Sequence, residues 1–264
     1  MSDAAAIYEE WFVPAVFAPL AREVLDHTDI PAGARVLDIA CGTGIVARIV
    51  ARRMGPTGRI VGLDLSPAML AIAQRVAQAE ELEIEWREGS AEDLPFDTGE
   101  FDLVVCQMGL MFFPDRPGAA SEMHRVLEPG GRMVVSTWRG LDQNPFFAAL
   151  ARAVRRRIGS SAVETPHSLG DPAALAILMQ EAGFSNISVE PVLVEANYAQ
   201  PENYIALQLT AMSAAIPVLQ RLDPTELTAL IAAIGHDMAA PVKQAIIGDR
   251  LRVPVQGIVV RATA

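Results

Sequence analysis

Residues 36–44, VLDIACGTG, are the feature that most restricts how this 264-residue chain can fold. The apolar run RVLDIA (35–40) predicts a buried strand, and GIVARIVARRM (44–54) predicts a helix directly after it. Gly42 and Gly44 stand at the turn between them, where glycine allows a tight turn and the close approach of a ligand. This order predicts the first unit of a parallel α/β sheet.

The rest of the first half repeats the alternation. Ser66 and Pro67 have the residue types of a helix start, and a helix over 117–127 ends at the EPGG turn. In the second half, helices are predicted to begin at Asp171 and Asp223. Apolar runs predict six further strands, at 58–65, 82–89, 101–107, 132–138, 187–194 and 251–260. Prolines in the last two strands suit a sheet edge or a bulge.

We expect a single domain over residues 1–264. Its predicted parts are an N-terminal helical lid (1–30), a ligand-binding core (31–140) and a C-terminal part (141–264). Two apolar helical stretches, near 142–165 and 200–240, exceed what the alternation needs, and we interpret them as a cap over the strand ends. A dimer interface explains them equally well, so a monomer and a homodimer both stay open.

The amino-acid composition argues against several classes of function. The chain has 32 acidic and 21 basic residues, a net charge of −11, which argues against a nucleic-acid partner. No run of eighteen apolar residues predicts a membrane span, and the acidic start of the sequence does not resemble a signal peptide. The two cysteines have no metal-ligand or CxxC spacing, which is typical of a reducing compartment. We therefore expect a cytoplasmic location and no bound metal.

The glycine-rich turn allows two interpretations. Asp64 stands twenty residues after Gly44, where a carboxylate can accept hydrogen bonds from a ribose. Gly42, Gly44 and Ala47 also fit the looser dinucleotide-binding pattern, so a nicotinamide-dependent oxidoreductase remains open.

Asp38 favours a different ligand. It lies inside the predicted buried strand, where it would repel a pyrophosphate and attract an ammonium group. S-adenosylmethionine (SAM) carries an ammonium group, a ribose and an adenine, which match Asp38, the two glycines and Asp64 in order. The alternative for Asp38 is a carboxylate that only caps backbone N–H groups.

Five segments carry a family resemblance: VLDIACGTG, GLDLSPAML, SAEDLPF, FDLVVCQMGLMFF and RVLEPGGRMVVSTW. In this order they resemble the class I SAM-dependent methyltransferases, in particular those related to the C-methyltransferases of ubiquinone and menaquinone biosynthesis. The resemblance covers residues 35–140. It implies a Rossmann-like, mostly parallel sheet of seven strands in the order 3-2-1-4-5-7-6, with strand 7 antiparallel and helices on both faces. It also implies SAM as methyl donor and S-adenosylhomocysteine as product.

The resemblance further implies the cofactor contacts. Asp38, Gly42 and Gly44 would surround the methionine part, together with Ala40, Cys41 and Thr43 of the same loop, and Asp64 would bind the ribose. The adenine would lie beside Leu65 and Met69 and along Ser90, Ala91 and Glu92, and the methionyl amine would lie near Cys106, Gln107 and Met108. Ser90 stands where such enzymes usually have an acid, so Glu92 or a water molecule is an alternative partner for the adenine amino group.

The acceptor site is predicted less directly. Methyl transfer from a sulfonium needs positioning and exclusion of water more than a catalytic triad or a metal. If a base is needed, the candidates are His167, in the loop TPHSLGD, and Tyr8. The predicted pocket residues are Tyr8, Trp11, Phe12, Met111, Phe112, Trp138 and Phe146, although aromatic residues in helices are as often ordinary core.

This lining suits a small, mainly apolar acceptor, such as an aromatic, quinol or isoprenoid-like compound. Two alternatives stay open: methylation of RNA or another macromolecule, and a SAM-binding protein without catalytic activity.

Overall fold

The computed structural model describes residues 4–212 and 218–264. Its helices are α1 (Ala4–Ile7), a π-helix (Tyr8–Phe17), α2 (Ala18–Asp26), α3 (Ile45–Met54), α4 (Pro67–Ala79), α5 (Arg116–Val126), α6 (Pro145–Ile158), α7 (Pro172–Glu181), α8 (Tyr204–Ala211), α9 (Pro224–Asp237) and α10 (Ala239–Ala245). Its strands are β1 (Arg35–Ile39), β2 (Arg59–Asp64), β3 (Glu85–Glu88), β4 (Phe101–Gln107), β5 (Leu127–Trp138), β6 (Ser185–Ala199), β7 (Ile246–Ile247) and β8 (Arg250–Thr263).

One sheet organises the molecule. Its order is β3-β2-β1-β4-β5-β8-β6, and the first five strands are parallel. The last long strand, β8, enters between β5 and β6 and runs antiparallel to both. The predicted Rossmann-like order is therefore confirmed, with the two-residue β7, paired to β8, as an addition that the sequence did not indicate.

The central strands are buried on both sides. Val36 and Leu37 are adjacent in β1 and both fully buried, but each belongs to a different one of two apolar clusters. One cluster includes residues of α2, α3, α6 and α8, and the other includes residues of α5 and α7. Because successive side chains point to opposite faces of a strand, helices cover both faces of this sheet.

The C-terminal strands show why proline was tolerated. Pro191 lies in β6, the edge strand, where one side of the backbone needs no partner. Pro254 lies in β8, but the pairing with β5 ends at Gly257, so this part of β8 pairs with β6 alone on one side. Both prolines therefore occupy local edges.

Several boundaries differ from the predictions. β3 is shorter than 82–89, whereas β5 begins five residues earlier than predicted, because the EPGG turn is itself part of the strand. The helix starts agree: Asp171 accepts from the Ala173 N–H at 2.9 Å, and Asp223 and Glu226 form a reciprocal capping box. Within the predicted 200–240 cap, α8, α9 and two 3₁₀ turns are helical, and residues 213–217 lie outside the described residues.

Candidate functional site

Asp38 is buried with 1% of its surface exposed, on the central strand β1. Its Oδ2 accepts the N–H of Ala47, in the first turn of α3, at 3.0 Å. Burial, together with the nearby Asp64 carboxylate, raises the pKa of Asp38 to about 8. Asp38 thus caps a helix, as the alternative interpretation proposed, and no cationic side chain among the described residues pairs with it. A buried carboxylate in this condition favours a cationic ligand.

The backbone around Asp38 has an unusual conformation. Ala40 and Met108 follow β1 and β4, two neighbouring parallel strands, and both have positive φ angles, +54° and +55°. Gly44 has φ +82°, and a Cβ atom there would lie 2.4 Å from the Trp86 ring. Non-glycine residues adopt this region at an energetic cost and concentrate at functional sites. The chain diverges from β1 to both sides here, and ligands bind at such switch points.

Asp64, at the end of β2, holds the loop together. One carboxylate oxygen accepts the Gly42 N–H at 2.8 Å and the other accepts the Ser66 N–H at 2.9 Å. Each oxygen keeps a free lone pair, which a ribose hydroxyl can use. Leu65 follows with 71% of its surface exposed, and Met69 lies half-buried in the first turn of α4. An exposed apolar side chain beside a carboxylate with free lone pairs is compatible with an adenine at this position.

In the segment after β3, two polar side chains form hydrogen bonds within the protein. The Ser90 hydroxyl accepts the Glu92 N–H at 3.2 Å, and Ala91 is buried. The Glu92 carboxylate accepts the Asp115 N–H at 2.7 Å, at the start of α5. Glu92 is therefore engaged with the protein backbone, and the Ser90 hydroxyl, half-buried, is the side chain of this segment with a proton free to reorient.

Two buried polar atoms at this edge have no hydrogen-bond partner within the described parts of the chain. They are Thr43 Oγ1, in the glycine loop, and Gln107 Oε1, at the end of β4. Gln107 uses its Nε2 to donate to the Phe17 carbonyl at 3.2 Å. Buried polar atoms of this kind are costly unless a ligand or water satisfies them. They fit a polar ligand at the ends of β1 and β4.

The two cysteines of the region are not nucleophiles. Cys41 and Cys106 are both buried. Burial raises the pKa of the Cys41 thiol well above its usual value and that of Cys106 to about 12. They remain neutral thiols and act as small apolar groups.

An apolar cavity of about 280 Å³ adjoins the loop. Most of its wall is aromatic or aliphatic. The lining residues are Tyr8, Phe12, Val16, Phe17, Met108, Phe112, Trp138, Phe147, Ala162, Val163, Pro166, His167, Tyr198, Gln208, Ala211, Met212 and Val255. They come from the π-helix, the ends of β4 and β5, α6, the loop before α7, the strand pair β6–β8 and α8.

Part of the predicted pocket lies in this wall. Tyr8, Phe12, Phe112 and Trp138 line the cavity, and Phe112 is 54% exposed at its edge. Trp11, Met111 and Phe146 are not in the wall. Met111 is fully buried in the core. Phe146 packs its ring against Tyr204, at 5.5 Å between centroids, and Trp11 packs half-buried against the core.

Other wall residues were not predicted. Phe17 stacks on Tyr8 at 4.9 Å between ring centroids, and Phe147 lies next to Phe146 in α6. Tyr198 belongs to β6, where alternate residues from Val192 onward are buried. The period-two pattern could have placed Tyr198 on the inner face, but it could not show what that face encloses.

Tyr8 lies between the loop and the cavity. Its ring is 3.7 Å from where a Cβ atom of Gly42 would be, and it also lines the cavity. The next residue, Glu9, pairs with Arg48 of α3 at 2.7 Å, and Arg48 also pairs with Glu80 at 3.1 Å. The N-terminal helices are thus anchored to the helix that begins at the glycine loop.

His167 lies in the wall of the cavity, in a 3₁₀ turn (Thr165–His167). Its Nδ1 is 2.7 Å from the carbonyl oxygen of Arg139, and its ring is 5.7 Å from the Phe147 ring. Burial lowers the pKa of His167 below its usual value, against the opposing effect of the carbonyl. Both candidate bases, His167 and Tyr8, therefore lie in the cavity wall.

Comparison with known proteins decides the family. A family described as "Methyltransferase domain" matches residues 36–131. The chain is 34% identical over 185 residues to a 2-phytyl-1,4-naphtoquinone methyltransferase of Thermosynechococcus vestitus, covering 64% of this chain and 80% of that protein. It is 36% identical to a demethylmenaquinone methyltransferase of Thermus thermophilus, over 62% of this chain and 80% of that one. The chain belongs to the class I SAM-dependent methyltransferases.

A solved methyltransferase shares this fold. The phosphoethanolamine N-methyltransferase 2 of Haemonchus contortus, in complex with S-adenosylhomocysteine, superposes with a TM-score of 0.61 at 18% identity, covering 99% of this chain and 57% of that one. Family membership removes the nicotinamide interpretation of the glycine loop.

None of the described helices of this methyltransferase is both long and apolar enough to cross a membrane. No group of three or more His, Cys, Asp or Glu side chains within residues 4–212 and 218–264 is placed to hold a metal ion.

Proposed function

We propose that this methyltransferase transfers the methyl group of SAM to a small, mainly apolar acceptor of aromatic, quinol or isoprenoid-like type. The observation that carries the proposal is the aromatic cavity beside the donor loop, with Tyr8 and Met108 in contact with both regions. Its volume, about 280 Å³, suits a ring system or part of a longer apolar molecule. Two relatives named as quinone methyltransferases support the same acceptor class.

The donor contacts follow from the loop geometry. Asp38 would hold the ammonium group, the backbone of Ala40–Gly44 and Cys106–Met108 would surround the methionine part, and Asp64 would bind the ribose. Leu65, Met69 and the segment Ser90–Glu92 would enclose the adenine. Bound SAM supplies a methyl group that is already activated by the sulfonium charge.

The chain itself contributes positioning and exclusion of water. The aromatic rings of Phe12, Phe17, Trp138 and Phe147 fix an acceptor ring by packing. The Tyr8 ring lies beside Gly42 and also lines the cavity, so it borders both sites. Holding two reactants in line supplies a large part of the acceleration in transfers of this kind.

Methylation of a macromolecule is less well supported. A nucleic acid needs a basic surface, whereas this chain has a net charge of −11. The cavity is enclosed by aromatic side chains and does not resemble a basic groove.

The test is methyl transfer from radiolabelled SAM to a panel of reduced naphthoquinones, simple phenols and isoprenoid alcohols, with transfer RNA and a protein mixture as contrasts. We expect product only with apolar small molecules, and S-adenosylhomocysteine formed in equal amount. Labelling of RNA or protein alone would contradict the proposal. SAM binding without transfer to any acceptor would favour a non-catalytic SAM-binding protein.

A further inference from the structure

The ionisable groups of the cavity wall are few. Within the described residues they are Tyr8, His167 and Tyr198. Burial raises the pKa of Tyr8, with a smaller contribution from Asp64, and burial alone raises that of Tyr198. Both tyrosines therefore stay protonated near neutral pH and can donate a hydrogen bond but cannot remove a proton. Among the described residues of the wall, His167 is the side chain that can accept a proton.

The tautomer of His167 follows from the hydrogen bond between its Nδ1 and the Arg139 carbonyl. A carbonyl oxygen can only accept, so the contact between His167 Nδ1 and the Arg139 oxygen at 2.7 Å requires the proton on Nδ1. In a neutral ring, Nε2 then carries the lone pair. Nε2 has no hydrogen-bond partner in the described parts of the chain, and the residue lines the cavity. A base held in one tautomer by its other nitrogen is the arrangement that general-base catalysis needs.

Packing fixes where this nitrogen lies. The His167 ring is tilted against Phe147, and the turn that carries it packs on β5 and on the 3₁₀ turn Leu110–Phe112 after β4. Both elements end at the donor side of the sheet. His167 therefore lies in the wall of the same cavity as Tyr8 and Met108, and Tyr8 also lies beside Gly42 of the donor loop.

We propose that His167 is the general base of this enzyme, and that the acceptor carries an ionisable hydroxyl group, as a phenol or naphthoquinol does. This rests on the proposed transfer to an apolar acceptor in the same cavity, and it narrows that acceptor to one whose hydroxyl reaches Nε2.

The step is balanced without a further reactant. The hydroxyl proton of the acceptor moves to Nε2 of His167, and a lone pair of the resulting oxygen forms the bond to the methyl carbon. The bond between that carbon and the sulfonium sulfur breaks, and its electron pair stays on sulfur. The products are the methyl ether, S-adenosylhomocysteine and a protonated His167, which returns its proton to solvent.

The charged side chains around the turn do not oppose this role. On the turn itself Glu164 pairs with Arg155. On the packed elements, Arg116 binds the Ser168 hydroxyl and the Met111 carbonyl, and Arg139 directs its guanidinium to Gln256. The shift in the pKa of His167 is set by burial and by the Arg139 carbonyl, and none of these charges contributes to it.

Two variants separate a base from a structural contact. In His167→Asn the side-chain amide can still donate to the Arg139 carbonyl, but nothing replaces Nε2. In His167→Gln the amide reaches towards the Nε2 position without being basic. If His167 only anchors the loop, His167→Asn retains function. If it is the base, both variants lose it by about 10²–10⁴-fold in kcat for weakly acidic phenols, with a smaller loss for more acidic phenols.

A binding measurement gives a readout that does not depend on turnover. The probe is 4-nitrophenol with the enzyme and S-adenosylhomocysteine, because its anion and neutral form absorb at different wavelengths. We expect bound probe to ionise at a pH about one to three units lower in the wild type than in His167→Asn, since an imidazolium beside it favours the anion. If the probe ionises at the same pH in both proteins, His167 is not the general base, whereas the proposed apolar acceptor site stands. Failure of the probe to bind overturns the acceptor site as well.

The tautomer itself can be observed. The chain has four histidines, so ¹⁵N spectra of labelled protein can be assigned by the signal missing in His167→Asn. We expect His167 at pH 7 to be neutral with its proton on Nδ1. A proton on Nε2, or on both nitrogens, at that pH would overturn the proposal.

Discussion

The two halves of the site are built in opposite ways. The donor half is centred on one stretch, from β1 to the start of α4, with the short segments after β3 and β4 beside it. Its side chains and N–H groups bind one another, as Asp38 does to Ala47 and Asp64 to Gly42. The acceptor half draws its wall from eight separate segments, and nearly all of its contacts are apolar. Backbone donors near carboxylates specify a ligand closely, whereas an apolar wall specifies size and shape. The difference explains why the donor is identified and the acceptor is proposed.

The largest expected effect tests whether the donor half depends on charge. In Asp38→Asn the amide oxygen can still accept the Ala47 N–H, but the ammonium of SAM loses its charged partner. We expect SAM affinity to fall by about 10–100-fold, the difference between a charged and a neutral hydrogen bond. Calorimetric titration measures it, and unchanged binding of 4-nitrophenol shows that the acceptor half is intact. Unchanged SAM affinity in the folded variant would remove Asp38 from the donor site.

The next effect tests whether the acceptor half depends on volume. Ala211→Trp places an indole in the cavity wall, and we expect KM for an active acceptor to rise at least about tenfold through overpacking. SAM affinity should not change, because Ala211 has no place in the donor loop. Ala232→Trp, at an exposed position of α9, is the matched control. A parallel loss of SAM binding in Ala211→Trp would show that the halves are not separable.

The pH dependence of SAM affinity is a further test of the donor half. The pKa of Asp38 is about 8 in the folded protein and 3.8 for an ordinary aspartate, so below pH 8 its carboxyl must lose a proton to bind an ammonium. We expect SAM affinity to rise with pH, by up to about tenfold per unit below pH 8, and about one proton to be released on binding at pH 7. Titration in buffers of different ionisation enthalpy measures that proton. Asp38→Asn should show neither effect.

The same shift has a consequence for stability. A folded pKa above the unfolded value means that the neutral carboxyl stabilises the fold. This stabilisation is complete below pH 3.8 and is lost as pH rises towards about 8. The unliganded wild type should therefore lose more stability than Asp38→Asn over this range in thermal unfolding. Equal slopes for the two proteins would contradict the shifted pKa.

The smallest effect concerns the residue that touches both halves. Tyr8→Phe keeps the stacking on Phe17 but removes the hydroxyl. Because burial keeps Tyr8 protonated, it can donate one hydrogen bond at most, so we expect kcat to fall by less than about tenfold. His167→Asn should have a much larger effect under the same assay. A loss in Tyr8→Phe as large as in His167→Asn would transfer the catalytic role to Tyr8.

The prolines and glycines show which features of the fold can be predicted from the local sequence. Pro191 and Pro254 indicated edges, and the structure places both at local edges. The early start of β5 was not predicted, because EPGG reads as a turn and its inclusion in a strand depends on the pairing of Leu127 with Phe101. In the same way, Met111 and Phe146 have the residue types of a pocket wall, but Met111 is buried in the core and Phe146 packs, half-buried, against Tyr204.

The sequence by itself determined the fold and the family, because strand periodicity, helix caps and the glycine loop are local patterns whose physical cause lies within a few residues. It also predicted Asp38 and Asp64 as the carboxylates of the donor site, which the binding measurements above test. Only the tertiary structure decided which aromatic residues meet, that Tyr8 lies beside Gly42, and that His167 lines the cavity with its Nδ1 held by the Arg139 carbonyl. Tyr8 and Gly42 are 34 positions apart along the chain, and Arg139 and His167 are 28 apart. No local pattern records such distances, since packing alone brings the segments together.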